Sequence, residues 1–106
     1  MEQLLKAPEL PEVIVLHSDL MLGGVLKIAR QHSIRIPEDI AVISYDNLPE
    51  SSQFYPEITT VDPQISLQAE ILLKTLLKRI SDPQLPIQHT AIPTLLIERD
   101  SLPDKI

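Results

Sequence analysis

The 106 residues of the chain allow one domain at most, because domains usually contain about 100–150 residues. Hydrophobic residues make up 43% and charged residues 23% of the chain, which is typical of a globular protein rather than a disordered tail. The formal net charge of −6 makes the surface a poor match for a nucleic-acid backbone, and the absence of cysteine excludes a disulfide scaffold, a Cys-ligated zinc site and a thiol nucleophile.

The first predicted elements form a βαβ unit. The apolar run 13–16 predicts a strand that is buried on both faces. Ser18 or Asp19 can accept hydrogen bonds from the free N–H groups that begin a helix, and apolar residues recur at helical spacing over 21–29. The run 40–45 predicts a second buried strand. A crossover helix between two strands is typical of a right-handed βαβ unit, so we expect the two strands to be parallel.

The second half of the chain is predicted to contain a loop, a short strand, a long helix and an edge strand. The loop 48–58 leads into an extended stretch over 59–61. Asp62 as the N-cap, followed by a proline, predicts the start of an amphipathic helix. After a proline-rich loop, residues 91–98 are prone to form a strand, and the proline within them indicates an edge or a bend.

The main functional indication is at the ends of the two parallel strands. Ligands of open α/β sheets meet the carboxyl ends of the strands, so we expect Asp19 and Asp46 to converge at one rim. This pair could be a catalytic acid and base, a metal site, or a set of acceptors for a hydroxylated ligand. Alternatively, Asp19 is only an N-cap and Asp46 only ends a strand. No third ligand accompanies the pair, which disfavours a metal, whereas carboxylates suit the hydroxyls of a polyol.

Residue types that could support hydrolysis are also present. His17, Ser18 and Asp19 have the side chains of a nucleophilic triad, but consecutive side chains of a strand point to opposite faces and cannot converge. No base, nucleophile and oxyanion group can be assembled from the sequence, so we rank a small hydrolase last and expect no enzyme activity. Two glycines against ten prolines argue against a phosphate-binding loop, and we expect no cofactor.

Several segments, in their order and spacing, resemble the lac-repressor-type (LacI/GalR) family of bacterial transcription regulators. They are residues 18–21 (SDLM) with Gly24, 36–47 (IPEDIAVISYDN), 58–61 (ITTV) and 95–101 (LLIERDS). The similarity extends over about residues 10–102, and it is to the carboxyl-terminal part of the effector-binding module. A fragment of a periplasmic sugar-binding protein from a transporter has the same fold, but the IPEDI turn and the LIERDS ending favour a regulator.

The resemblance implies an α/β fold, namely a parallel-sheet βαβ fragment of a two-lobed, periplasmic-binding-protein-like domain. The whole chain, 1–106, would then be a single partial effector-binding domain without the DNA-binding head. About residues 10–60 would lie in one lobe, 61–95 in the other, and 96–106 would return to the first. An effector (a sugar, sugar phosphate or nucleobase) would bind between the lobes of a cytoplasmic repressor and change their relative angle. No membrane contact is expected.

The resemblance also implies roles for individual residues. Asp46 matches the aspartate of a Gly-Tyr-Asp-Asp/Asn motif that contacts the effector, Ser18 matches a polar position that also touches it, and Asp19 matches the aspartate beside that position. Two departures from the family pattern are Ser44, where the motif has glycine, and Gln64, which is displaced to the far side of a proline.

The family's proteins form dimers, and the helix from Met21 and the loop through Phe54 match regions that contact the partner subunit. The residues expected at this interface are Met21, Gly23, Val25, Leu26, Phe54 and Tyr55. Only one crossover helix is available to cover two apolar strands, so one sheet face should remain bare. We therefore expect a truncated chain that forms a homodimer or higher homo-oligomer, or is only marginally stable.

Overall fold

The computed structural model describes residues 1–104, which form four strands, two helices and three short 3₁₀ turns. In chain order these are a 3₁₀ turn at Leu4–Lys6, β1 at Val13–Val15, a 3₁₀ turn at Asp19–Met21, α1 at Leu22–Gln31, β2 at Ala41–Tyr45, a 3₁₀ turn at Pro49–Ser52, β3 at Thr59–Asp62, α2 at Ile65–Ser81 and β4 at Leu95–Ile97. The predicted α/β fold is confirmed.

The strands form one mostly parallel sheet in the order β1-β2-β3-β4. Val15 of β1 lies beside Ile43 of β2, and Ile43 lies beside Thr59 of β3, with all three strands parallel. Strand β4 pairs with β3 in the antiparallel direction. The βαβ prediction is therefore confirmed, and the carboxyl ends of β1, β2 and β3 lie at one edge of the sheet.

The hydrophobic core lies between α1 and one face of this sheet. Its buried members are Leu16, Leu22, Val25, Leu26, Val42 and Ile58. Each large apolar side chain removed from water contributes roughly 1.5–3 kcal/mol to folding, so this cluster fixes α1 against β1 and β2.

Strand β1 is not buried on both faces, contrary to the prediction from its apolar sequence. Ile14 packs against the core, whereas Val13 and Val15 are 44% and 70% exposed. Successive side chains of a strand point to opposite faces, and α1 covers only the face that carries Ile14. The bare sheet face that the sequence analysis expected is therefore present in the described part of the chain.

Helix α2 begins two residues later than the N-cap and proline pattern predicts. Asp62 is the last residue of β3, where it pairs with Leu95 of β4. Its Oδ1 accepts a 2.6 Å hydrogen bond from the backbone N–H of Gln64, which has a left-handed backbone (φ 57°) and precedes the helix. Strand pairing thus keeps Asp62 in the sheet, and its carboxylate stabilises the turn between β3 and α2.

Helix α2 projects away from the sheet. The molecule measures 59 by 24 by 24 Å, and its radius of gyration is 18.7 Å, against about 13 Å for a compact chain of this length. None of the side chains of α2 is buried, and Leu72 is 72% exposed. We refer to residues 63–94 as the α2 arm. No helix within residues 1–104 is sufficiently long and apolar to span a membrane.

Candidate functional site

The ends of β1 and β2 converge through a hydrogen bond between two predicted site residues. The Ser18 hydroxyl donates to Oδ2 of Asp46 over 2.8 Å. Asp46 is half-buried, and its Oδ1 accepts no hydrogen bond from any residue in the described range 1–104. The sheet edge therefore presents one oriented carboxylate with a free acceptor oxygen.

The backbone turns sharply at this carboxylate. Asp46 and Asn47 both have positive φ angles, 109° and 52°, which cost of order 1–3 kcal/mol each for residues other than glycine. The backbone N–H of Asp46 donates to the carbonyl of Val61 (2.9 Å), and that of Asn47 donates to Oγ1 of Thr60 (3.2 Å). These two bonds to β3 hold the turn and aim consecutive side chains in different directions.

Asp19 does not lie on the open rim, where the sequence analysis placed it. Its side chain is buried, with 1% exposure. Oδ1 accepts from the Thr60 hydroxyl (3.0 Å) and Oδ2 from the backbone N–H of Leu48 (2.7 Å). The Thr60 hydroxyl is shielded from water and needs an acceptor, so the carboxylate turns inward to it. Asp19 therefore stabilises the sheet edge from the interior, because its carboxylate joins β3 to the segment that follows β2.

Three residues that the sequence analysis did not assign to the site complete its polar network. Nδ2 of Asn47 donates to Oδ2 of Asp62 over 3.0 Å, and Nη2 of Arg99 donates to Oδ1 of Asn47 over 2.9 Å. Asn47 follows Asp46 at the carboxyl end of β2, and Asp62 could have been found by applying the carboxyl-end rule to β3 as well. Arg99 follows an antiparallel strand and is 52 residues from Asn47 in sequence, so the carboxyl-end rule does not indicate it, although it lies in the LLIERDS segment that resembles the family.

Arg99 holds several segments together from a largely buried position, with 15% of its side chain exposed. Nη1 donates to the hydroxyl of Ser51 (2.9 Å) and to the carbonyl of Ile58 (2.7 Å), in addition to the bond from Nη2 to Asn47. Both terminal nitrogens of the guanidinium are thus engaged by the protein itself.

The six residues expected at a dimer interface have different environments. Val25 and Leu26 are each 7% exposed and belong to the core under α1, so the structure corrects the expectation that they face a partner. The apolar stripe of the helix instead packs against its own sheet. Phe54 also packs against this core. The exposed members are Met21, Gly23 and Tyr55.

The described residues contain no group of three or more His, Cys, Asp or Glu side chains that could hold a metal ion. What the sheet edge offers is hydrogen-bond acceptors on a rigid frame. Such an arrangement can orient a ligand that carries hydroxyl groups.

Comparison with known proteins identifies relatives over nearly the whole chain. Residues 1–102 match the family model of the periplasmic binding protein-like domain. The chain is 34% identical over 101 residues to the ribose operon repressor of Escherichia coli K12, which covers 95% of the chain and 31% of that protein. It is 32% identical over 104 residues to the HTH-type transcriptional repressor PurR of Escherichia coli O139:H28, which covers 98% of the chain and 30% of that protein.

A solved structure agrees with these sequence relatives. The fold matches that of a LacI family transcriptional regulator from Enterococcus faecalis V583 with bound ribose, with a TM-score of 0.87 and 27% identity over 95% of this chain and 37% of that one. The chain spans about a third of the length of the curated relatives it matches. These relatives are transcriptional regulators. The chain belongs to the periplasmic binding protein-like domain family, in the form found in lac-repressor-type transcriptional regulators.

Proposed function

We propose that the chain is part of the effector-binding module of a transcriptional repressor, and that a polyhydroxylated sugar binds at the edge formed by Ser18 and Asp46. The single observation that supports this proposal is the hydrogen bonding of the two Asp46 carboxylate oxygens. One of its oxygens is fixed by Ser18, and the other accepts no bond within residues 1–104. An ionised carboxylate forms strong hydrogen bonds with hydroxyl donors, and its two oxygens suit neighbouring hydroxyls of a sugar ring.

The charges at this edge favour a neutral sugar over a phosphorylated one. Asp46 and Asp62 contribute carboxylates, and the terminal nitrogens of Arg99 are already engaged by the protein. A phosphate group would meet negative charge here without a free guanidinium to offset it. The ribose operon repressor and the ribose-bound regulator among the relatives make D-ribose the first ligand to test.

The proposed mechanism makes and breaks no covalent bond. About residues 10–60 and 96–106 would belong to one lobe and residues 61–95, which contain the α2 arm, to the other, with the sugar between the lobes. A sugar that binds one arrangement of the lobes more tightly shifts the population toward it, with a typical coupling free energy of about 1–3 kcal/mol. The DNA would be contacted by a head domain outside this chain, and the protein would act in the bacterial cytoplasm.

We also propose a homodimer whose partner contacts the surface around Met21 and Tyr55, which are 46% and 89% exposed. Large exposed apolar and aromatic side chains are typical of interfaces. Sedimentation velocity should therefore show a dimer that Tyr55→Glu weakens, while Gln84→Glu, at an exposed position on the α2 arm, leaves the dimer intact. A monomer at all protein concentrations would contradict this part of the proposal.

The binding proposal can be tested by calorimetric titration of D-ribose into the protein and three variants. We expect Asp46→Ala to weaken binding at least tenfold, which corresponds to about 1.4 kcal/mol, because the acceptor is lost. Ser18→Ala should weaken it less, since only the orientation of the carboxylate is released. Asp100→Ala is the matched control, because this aspartate is exposed and lies outside the network. Equal affinities in wild type and Asp46→Ala would contradict the proposal.

A further inference from the structure

The amide of Asn47 links the candidate site to both strands that connect the sheet with the α2 arm. Strand β3 leads into the arm, and its last residue, Asp62, accepts a hydrogen bond from Nδ2 of Asn47 (3.0 Å). The chain returns through β4 to Arg99, which donates to Oδ1 of Asn47 (2.9 Å). The Asn47 side chain thus binds β3, which leads into the arm, through its N–H group, and binds Arg99, which follows β4, through its carbonyl oxygen.

The orientation of the arm depends on these connections, since no side chain of α2 is buried. Asp62 uses its second oxygen, Oδ1, to accept from the backbone N–H of Gln64 at the start of the arm. The side chain of Gln64 in turn donates to the carbonyl of Pro93 at the end of the arm. The base of the arm is therefore a closed set of hydrogen bonds, and Asn47 joins this set to the sheet.

We propose that Asn47 is the positioning residue that couples ligand occupancy at Asp46 to the orientation of the α2 arm. The inference rests on the proposed function, in which Asp46 receives the sugar. Asp46 and Asn47 are consecutive and share one sharp turn with two positive φ angles. A ligand that draws the Asp46 carboxylate toward itself rotates this turn, and the rotation changes the two hydrogen bonds of Asn47. Energetic coupling requires one structural element whose conformation depends on both sites, and the turn at Asp46 and Asn47 is such an element.

The hydrogen bond between Asn47 and Asp62 can be broken by one substitution and restored by a second, while the bond from Arg99 to Asn47 is kept. In Asn47→Asp, the carboxylate still accepts from Arg99, but it replaces the donor to Asp62 with a like charge. The double variant Asn47→Asp/Asp62→Asn exchanges amide and carboxylate, so a donor and an acceptor face each other again. The side-chain oxygen that remains at position 62 still accepts from Gln64. Gln31→Glu adds the same charge at an exposed site on α1 and serves as the control.

The experiment measures the orientation of the arm by double electron–electron resonance. The chain contains no cysteine, so Lys27→Cys on α1 and Leu73→Cys on α2 introduce two unique spin labels at exposed positions. Without ligand, we expect Asn47→Asp to broaden the distance distribution, and the double variant to narrow it again. With saturating D-ribose, the shift in mean distance should fall by roughly half or more in Asn47→Asp and recover in the double variant. Circular dichroism checks that each variant is folded.

The possible outcomes separate this inference from the proposed function. If Asn47→Asp leaves the ligand-free distribution and the ribose response unchanged, the role of Asn47 is overturned even if ribose binds. If the distance distribution of the double variant remains as broad as that of Asn47→Asp, the hydrogen bond between Asn47 and Asp62 does not hold the arm, and the inference is also overturned. If wild type binds no ribose, the proposed ligand is contradicted, while the ligand-free distributions still decide whether Asn47 fixes the arm.

Discussion

The hydroxyl of Ser18 donates a 2.8 Å hydrogen bond to Oδ2 of Asp46, across 28 residues of sequence. This bond joins the ends of two parallel strands, and the second carboxylate oxygen accepts no hydrogen bond from residues 1–104. A carboxylate that is already oriented before a ligand arrives loses less of the binding free energy to side-chain ordering. The relation between these two residues is the basis of the proposed sugar site.

The first prediction concerns Asp19, whose buried carboxylate satisfies two donors. Asp19→Asn keeps the volume but leaves one oxygen acceptor for the Thr60 hydroxyl and the Leu48 backbone N–H. We expect the free energy of unfolding to fall by about 1–3 kcal/mol, because a buried donor loses its partner. Urea denaturation measures the change, with the exposed Asp100→Asn as the control. A loss no larger than that of the control would contradict the structural role of Asp19.

The second prediction compares two serines that are both fully buried. Oγ of Ser44 has no hydrogen-bond partner in the described residues, whereas Oγ of Ser101 accepts from the backbone N–H of Thr59 and donates to the carbonyl of Val42. Ser44→Ala should therefore leave stability unchanged or raise it by up to ~1 kcal/mol, and Ser101→Ala should lower it by about 1–3 kcal/mol. Thermal or urea unfolding of the two variants checks this order, and the reverse order would be inconsistent with these hydrogen bonds.

The third prediction concerns the ion pair between Arg35 and Asp39. The Arg35 side chain, followed by its backbone N–H, lowers the pKa of Asp39 from 3.8 to about 2. Because the pKa is lower in the folded state, this group stabilises the fold above pH 3.8, and the contribution disappears as the pH falls through about 2.

NMR titration of the Asp39 carboxyl carbon can measure this effect. Arg35→Ala should raise the pKa of Asp39 toward 3.8 without reaching it, because the backbone N–H of residue 35 still donates. Arg30→Ala, which removes a guanidinium outside this pair, should not change the titration. A pKa that is the same in wild type and in Arg35→Ala would show that the guanidinium has no part in the shift.

The fourth prediction contrasts a core leucine with one on the α2 arm. Leu22 is fully buried, whereas Leu72 is 72% exposed. Leu22→Ala should lower the free energy of unfolding by about 2–5 kcal/mol, since it removes buried methyl groups and leaves a cavity. Leu72→Ala should change it by no more than about 0.5 kcal/mol. A large loss for Leu72→Ala would show that the arm is packed in solution, for instance against a second copy of the chain.

The parallel arrangement of β1 and β2 could be predicted from sequence because it depends on local patterns. Two apolar runs separated by one helix leave few possible topologies, and the carboxyl-end rule brings the ends of both strands to one edge. The rule predicted that Asp19 and Asp46 converge there, whereas the observed pair is Ser18 and Asp46. The start of α2 could not be predicted in the same way. The N-cap and proline signal at Asp62 is local, and pairing of Asp62 with Leu95 overrides it.

The orientation of individual polar side chains was harder to predict for the same reason. Asp19 turns inward because Thr60 offers a buried hydroxyl, and these residues are 41 positions apart. The bond between Asn47 and Arg99 spans 52 positions. The residues next to Asp19 and Asn47 in sequence do not indicate these distant partners. Periodicity and capping rules therefore predict which residues lie near the edge but not which of them remain free for a ligand.

The most direct test of the proposed site is an amide NMR titration of the protein with D-ribose. The proposal predicts that the largest saturable shifts fall on Ser18, Asp46 and Asn47, and that Asp46→Ala abolishes them. The α2 arm carries apolar grooves of its own, one of them lined by Thr75 and Leu85. Saturable shifts confined to those grooves, with Ser18 and Asp46 unaffected, would contradict a sugar site at the sheet edge.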